Sequence, residues 1–103
     1  MTNLTGSPKQ IAWATQIRET QMAELDELTT VQKLFRLLAN NGLGNEEMIQ
    51  RGVSSMETAA SFCETIKAPA KASLLGQADS KWWIDHECVA AYDAVMHQIN
   101  LLK

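Results

Sequence analysis

The sequence predicts an all-α fold, a compact bundle of four or five helices, and three observations carry that expectation. Ala, Leu and Met number 13, 11 and 5, against 10 for Val and Ile together. The first three are strong helix formers, whereas β-branched residues favour strands. Helix-start and helix-stop signals punctuate the chain, and apolar residues recur three and four apart between them.

The first helix starts where Gly6-Ser7-Pro8-Lys9-Gln10 supplies a loop residue, an N-cap, a first helical residue and a capping-box partner. Ser7 can accept from the Gln10 backbone N–H while the Gln10 side chain reaches back to Ser7. Pro8 suits the first helical position, where its missing N–H has no partner to lose. Ile11, Ala14, Ile17, Gln21, Leu25 and Leu28 follow at helical spacing, with Trp13 to the side of that stripe. Glu19, Glu24, Asp26 and Glu27 load the later part of the helix with acid, against its dipole, so a break is expected around Leu28 to Thr30.

Thr29 or Thr30 then caps a second helix with Val31, Leu34, Phe35 and Leu38 on its apolar face. Asn40-Asn41-Gly42 stops it, because Asn and Gly tolerate the left-handed backbone. Asn45 is expected to cap a short turn through Glu46, Glu47, Met48 and Ile49 that ends at Gly52. A second capping box, Ser54 to Glu57, opens a helix through Ala59, Phe62, Cys63 and Ile66. Pro69 is expected to stop it, with one more turn from Ala70 to Leu75. The last helix, capped by Asp79 or Ser80, is expected to be the longest, with Ile84, Cys88, Tyr92, Val95, Ile99 and Leu102 as its apolar stripe.

With 103 residues and 46% hydrophobic composition, the chain suits a single helical domain over 1–103, of which 1–6 form a flexible N-terminal segment. A net charge of -3 excludes a strongly basic nucleic-acid glue and falls short of the dense acidity of a nucleic-acid mimic. The longest fully apolar run is too short for a transmembrane helix. The start, MTNLTGSPKQ, has no basic region followed by an apolar stretch, so no signal peptide is expected and the location expected is cytoplasmic. In that setting Cys63 and Cys88 are expected as free, buried thiols rather than a disulfide.

Few residues carry a chemical signal. His86, Glu87, Cys88 and His97 lack the spacing that converges ligands on one helix face, so no metal and no cofactor are expected. Cys88 on an apolar stripe reads as inert, and Gly42-Leu43-Gly44 has no strand before it and no phosphate-loop pattern after it, so no enzyme is expected. Lys33 and Arg36 offer too few phosphate contacts for tight nucleic-acid binding. Two features remain as candidate partner-binding sites. Adjacent residues on a helix point about 100° apart, so Trp82 and Trp83 cannot both face one core, and Trp is enriched at binding hot spots. Glu19, Glu24, Asp26 and Glu27 form the densest charge run in the chain, with no basic residue among them.

Leu4-Thr5-Gly6-Ser7-Pro8-Lys9-Gln10-Ile11-Ala12-Trp13-Ala14 with Gln16-Ile17-Arg18, and the later Trp82-Trp83-Ile84-Asp85, resemble a pair of elements in an uncharacterised family of bacterial, phage and plasmid proteins. In such relatives a similar helical module follows a small zinc-binding segment, for which this sequence has no counterpart. The resemblance implies no catalytic residues. It implies an accessory protein of a mobile element in a bacterial host cell, binding a host or phage protein, alone or within a nucleoprotein complex. One form of that role is an inhibitor of a host defence complex, in the manner of an anti-CRISPR protein. The alternative is a nucleic-acid-associated accessory domain. The two Trp-bearing elements are expected to pack together as one unit.

Overall fold

A computed structural model describes residues 3–103 and is all-α, with six helices among the described residues rather than four or five. They are α1 (Pro8–Leu28), α2 (Val31–Asn40), α3 (Asn45–Gln50), α4 (Met56–Leu75), α5 (Ser80–Asp85) and α6 (Ala90–Leu101). The first capping box forms as the sequence implies, with Ser7 Oγ accepting from Gln10 N and Gln10 Oε1 accepting from Ser7 N. The break also falls where the acid run placed it. α1 ends at Leu28, and Thr30 caps α2 by accepting from Lys33 N.

Four local expectations are corrected. Gly44, not Asn45, is the N-cap of α3, and no side chain completes the cap. The second capping box is Ser55 with Thr58, one residue later than Ser54 with Glu57. Pro69 does not stop α4 but sits inside it, exposed. A proline there removes one ladder hydrogen bond, at a cost of about 3 kcal/mol. Ile66, Ala70 and Leu74 stay buried at four-residue spacing on either side of it, so the buried stripe outweighs the local preference. Ala68, as a small residue, crowds the proline ring least.

The expected long last helix is parted into α5 and α6 by a turn over residues 86–89. The cause lies on α1. In a continuous helix the Glu87 carbonyl would accept from the Ala91 N–H. Instead the buried Gln21 side chain stands between them, donating from Nε2 to Glu87 O at 2.9 Å and accepting from Ala91 N at 3.0 Å. One primary amide thus replaces one helical hydrogen bond with two and caps the start of α6, whose own N-cap Val89 supplies no side chain. Within the expected stripe, Val95 and Ile99 are buried, but Cys88 and Tyr92 are exposed.

Packing follows from two long helices. At 1.5 Å per residue α1 is about 31 Å long and α4 about 30 Å, in a molecule 49 Å long and 22 by 18 Å across. α4 runs antiparallel to α1 and also packs on α2. Its later half lies on α1, with Lys67 bound to Asp26 at 2.8 Å, and its first half lies on α2, with Phe62 stacked on Phe35 at 6.0 Å. α6 packs between α1 and α4. Its Met96 accepts from Asn41 at the end of α2, and the Leu102 carbonyl accepts from Arg51 after α3.

The sequence reads 1–6 as a flexible segment. Met1 and Thr2 lie outside the described residues, and Thr5 is held. Thr5 N donates to Ala78 O at 2.7 Å, and Ser80 N donates to Thr5 O at 3.1 Å. Gly6 then turns the chain into the Ser7 cap at φ +134°, where a Cβ would also stand 3.0 Å from Gln10 Oε1 and 3.3 Å from Ser80. Trp83 is fully buried below this bridge and donates from Nε1 to Gln77 O at 3.1 Å. The two Trp-bearing elements therefore pack together, through Thr5 on Asp79 and α5 on α1.

Candidate functional site

The four acids of α1 do not form one surface. Stepping about 100° per residue, Glu24 and Glu27 fall on the flank of Trp13 and Thr20, while Glu19 and Asp26 fall on the opposite flank, toward α4. The surroundings agree. Glu19 and Asp26 line an open cleft of about 460 Å³ with Arg18, Met22, Lys71 and Leu75. Trp13 and Thr20 line a groove of about 350 Å³ with Gln21, Glu87 and Cys88.

Two of the acids are also compensated by lysines on other helices. Lys33 Nζ reaches Glu27 Oε1 at 2.8 Å, and Lys67 Nζ reaches Asp26 Oδ1 at 2.8 Å. These hydrogen bonds hold both carboxyls below the usual carboxylate range, and the Asp26 bond holds the Lys67 ammonium above the usual lysine value. The same pairings engage two of the cations that a nucleic-acid surface would need.

The tryptophan pair divides as its spacing requires. Trp83 is in the core and cannot reach a partner, which corrects its place among the candidate binding residues. Trp82 is half-buried, edge-on to Trp83 at 5.1 Å and stacked on His86 at 4.2 Å. His86 Nδ1 lies 2.7 Å from the Trp82 carbonyl, which can only accept, so that nitrogen carries the proton. Trp82 and His86 together close the end of α5.

Of the thiols, Cys63 is buried, and burial first, then the neighbouring Glu64, pushes it above the ordinary thiol value. Cys88 is free but exposed in the turn, against the expectation that both are buried. The stripe expectation failed there because Gln21 parts the helix just before Ala91. Among the described residues no three His, Cys, Asp or Glu side chains are gathered around a metal-sized space. No helix of these residues is long and apolar enough to cross a membrane.

Sequence reasoning missed the surfaces that the fold leaves open. Trp13 is 49% exposed, Ile49 63% and Met56 73%. The signals were present. Trp13 stands off the α1 stripe, Ile49 follows Met48 on a six-residue helix that buries only Met48, and Met56 precedes the stripe of Ala59, Cys63 and Ile66. No family model, no curated protein and no solved structure matches the chain.

Proposed function

We propose that the chain is a small, non-catalytic protein-binding module of a phage or other mobile element, acting inside a bacterial host on a host or phage protein. Inhibition of a host defence complex, in the anti-CRISPR manner, is the form of that role this reading favours. The observation that carries it is the half-exposed Trp13 on the outer flank of α1, in line with Glu24 and Glu27 and beside the Glu87–Cys88 groove. A large aromatic side chain with acids along the same flank supplies an anchor and a charged rim, the two ingredients of a protein interface centred on a hot spot. Folding gives no reason for this exposure, because Ala14 and Ile17 on the same helix already fill the core. Two further supports are the resemblance carried by Leu4 to Arg18 and Trp82 to Asp85, and the engagement of Lys33 and Lys67 by acids, which weakens the nucleic-acid alternative. Trp82 is the second anchor candidate.

The test is retention of host protein by the full chain, with and without nuclease, compared with Trp13→Ala and Glu24→Lys. The reading expects a defined host protein that survives nuclease treatment and is held about tenfold less tightly by Trp13→Ala. Glu24→Lys should chiefly slow association and reduce its salt sensitivity. Release of all bound material by nuclease overturns the reading and leaves the nucleic-acid-associated domain standing, and equal retention by the variants overturns the assignment of the interface to the Trp13 flank.

A further inference from the structure

Residues 3–6 lie beside the start of α5, and among the described residues their hydrogen bonds to it run through Thr5. Thr5 N and Thr5 Oγ1 donate to Ala78 O at 2.7 and 3.2 Å, and Thr5 O accepts from Ser80 N at 3.1 Å. Leu4, half-buried, packs on the core. Next to this contact is an orphan. Ser80 is fully buried, and its Oγ has no hydrogen-bond partner among the described residues. The cap of α5 does not need that hydroxyl, because Asp79 accepts from Lys81 N at 3.0 Å. Gly6 lies directly against it: a Cβ there would stand 3.3 Å from both Ser80 Cβ and Ser80 Oγ. We propose that residues 3–6 form a strap that opens while the bundle stays folded, with the Ser80 hydroxyl as the group that biases it to open.

The shut and open forms differ in a small set of groups. Shut, the strap makes the Thr5 bonds and covers part of Leu4, but it leaves a hydroxyl desolvated and unpaired, which is costly. Open, water takes both the Thr5 groups and the hydroxyl. Thr5 is itself exposed, so exchanging its bonds for water changes little, whereas hydrating the buried hydroxyl is a net gain. All the Thr5 bonds belong to one residue, so they form and break together. Gly6 supplies the pivot, at φ +134°, a backbone that glycine adopts freely. Beyond that pivot the Ser7–Gln10 capping box holds the start of α1 on its own. At the other end of α5, Gln21 holds the Glu87 carbonyl. Neither anchor has to give when the strap swings out, so the opening is local and lies below global unfolding in free energy. It uncovers the Ala78 carbonyl, the Ser80 N–H and the roof of Trp83. The groove between Trp13 and Cys88, lined by residues of α1 and the turn after α5, keeps its form.

The experiment is amide hydrogen exchange of the full chain, followed by NMR at Thr5 and at Ile99, a core residue of α6. Thr5 should exchange through the local opening and so be less protected than Ile99, whose protection reads the whole bundle. Ser80→Ala should raise the protection of the Thr5 amide about tenfold, the effect of removing one buried unpaired hydroxyl. The better helix propensity of alanine does not enter that ratio, because α5 is helical in both forms. Gly6→Ala places a Cβ 3.0 Å from Gln10 Oε1 at a φ that alanine resists. It should lower Thr5 protection about tenfold and leave the helical circular dichroism in place. Thr5 protection that is unchanged or lowered in Ser80→Ala overturns the proposal, because the hydroxyl is then satisfied, by an ordered water, when the strap is shut. A Thr5 amide that exchanges only together with Ile99 also overturns it, since residues 3–6 are then a fixed part of the bundle. So does a Gly6→Ala chain with Thr5 as well protected as in the parent.

Discussion

The α1–α5 end and the α2–α3 end are both helical, but they are held by different means. At the α1–α5 end, polar groups make directional bonds, Thr5 with Ala78 and Ser80 and Gln21 with Glu87 and Ala91 across long sequence separations, and Trp83 with Gln77 locally. At the α2–α3 end the main contacts are apolar, with Leu34, Leu38 and Met48 buried and Phe35 stacked on Phe62. A directional bond specifies one geometry and leaves an unsatisfied group when either partner goes. Apolar contact tolerates a change of shape as long as the volume is kept. The first end therefore fixes the position of the Trp13 flank, while the second leaves apolar side chains at the surface without disturbing the core.

The largest expected effect tests that contrast directly. Trp83→Ala removes a fully buried side chain and its bond to Gln77 O, and should lower stability by about 3–5 kcal/mol. Met56→Ala, at an exposed position of the other end, should change it by no more than about 0.5 kcal/mol. Urea midpoints on the two variants check the pair of values, and comparable losses at both ends would remove the distinction.

Gln21→Leu comes next. It leaves the Glu87 carbonyl and the Ala91 N–H without the amide that joins them, at an expected cost of about 1–3 kcal/mol. The two groups are a helical donor–acceptor pair, so they can instead close on each other and join α5 to α6. Helical circular dichroism then rises while stability is retained. A variant that neither loses stability nor gains helical signal shows that the amide is not what parts the helices.

That amide also marks the boundary of what the sequence reveals. Caps and stops are local, and so Ser7 with Gln10, Thr30 and Asn41-Gly42 are legible from residue type and spacing. The stripes of α1 and α2 are legible because burial follows the helical period. Three features were decided by residues elsewhere in the chain. Pro69 is carried inside α4 by the burial of Ile66, Ala70 and Leu74, the α5–α6 turn is imposed by Gln21 from α1, and Thr5 is ordered by Ala78 and Ser80. The acid run shows the same limit at the candidate site. Its four members are adjacent in sequence, but the helical period sends them to two flanks, and Lys33 and Lys67 arrive from other helices.

Cap removal is the matched test of the two ends. Ser7→Ala and Ser55→Ala each break a complete capping box, one at the start of α1 and one at the start of α4. Each should cost about 1 kcal/mol, read as a fall in melting temperature. A larger loss at Ser7 is expected where the α1 start also carries the Thr5 bridge, and equal losses would show that the bridge and the cap act independently.

The smallest effect concerns the bolt between the ends, Asp26 with Lys67, which ties α1 to α4 close to the α1–α2 break. Lys67 holds the Asp26 carboxyl low, so the folded chain binds that proton less readily than the unfolded chain. The stabilisation is then present above the unfolded carboxylate value, about 3.9, and is lost as pH falls through the lower folded value. Lys67 is raised by the same bond, so from its side the stabilisation is present below the unfolded lysine value, about 10.4, and is lost as pH rises through the folded one. Between these limits the pair acts at full strength. Asp26 is 65% exposed and Lys67 27%, so solvent screening reduces its worth to about 0.2–1 kcal/mol. Lys67→Met keeps the apolar stem and removes only the charge, so its urea midpoint should fall slightly below that of the parent chain at pH 7. The gap should narrow in high salt, and narrow again as the pH is taken low enough to protonate Asp26. A gap that keeps its size under both conditions would mean that the Lys67 stem, packed between α1 and α4, holds the two helices together without help from its charge.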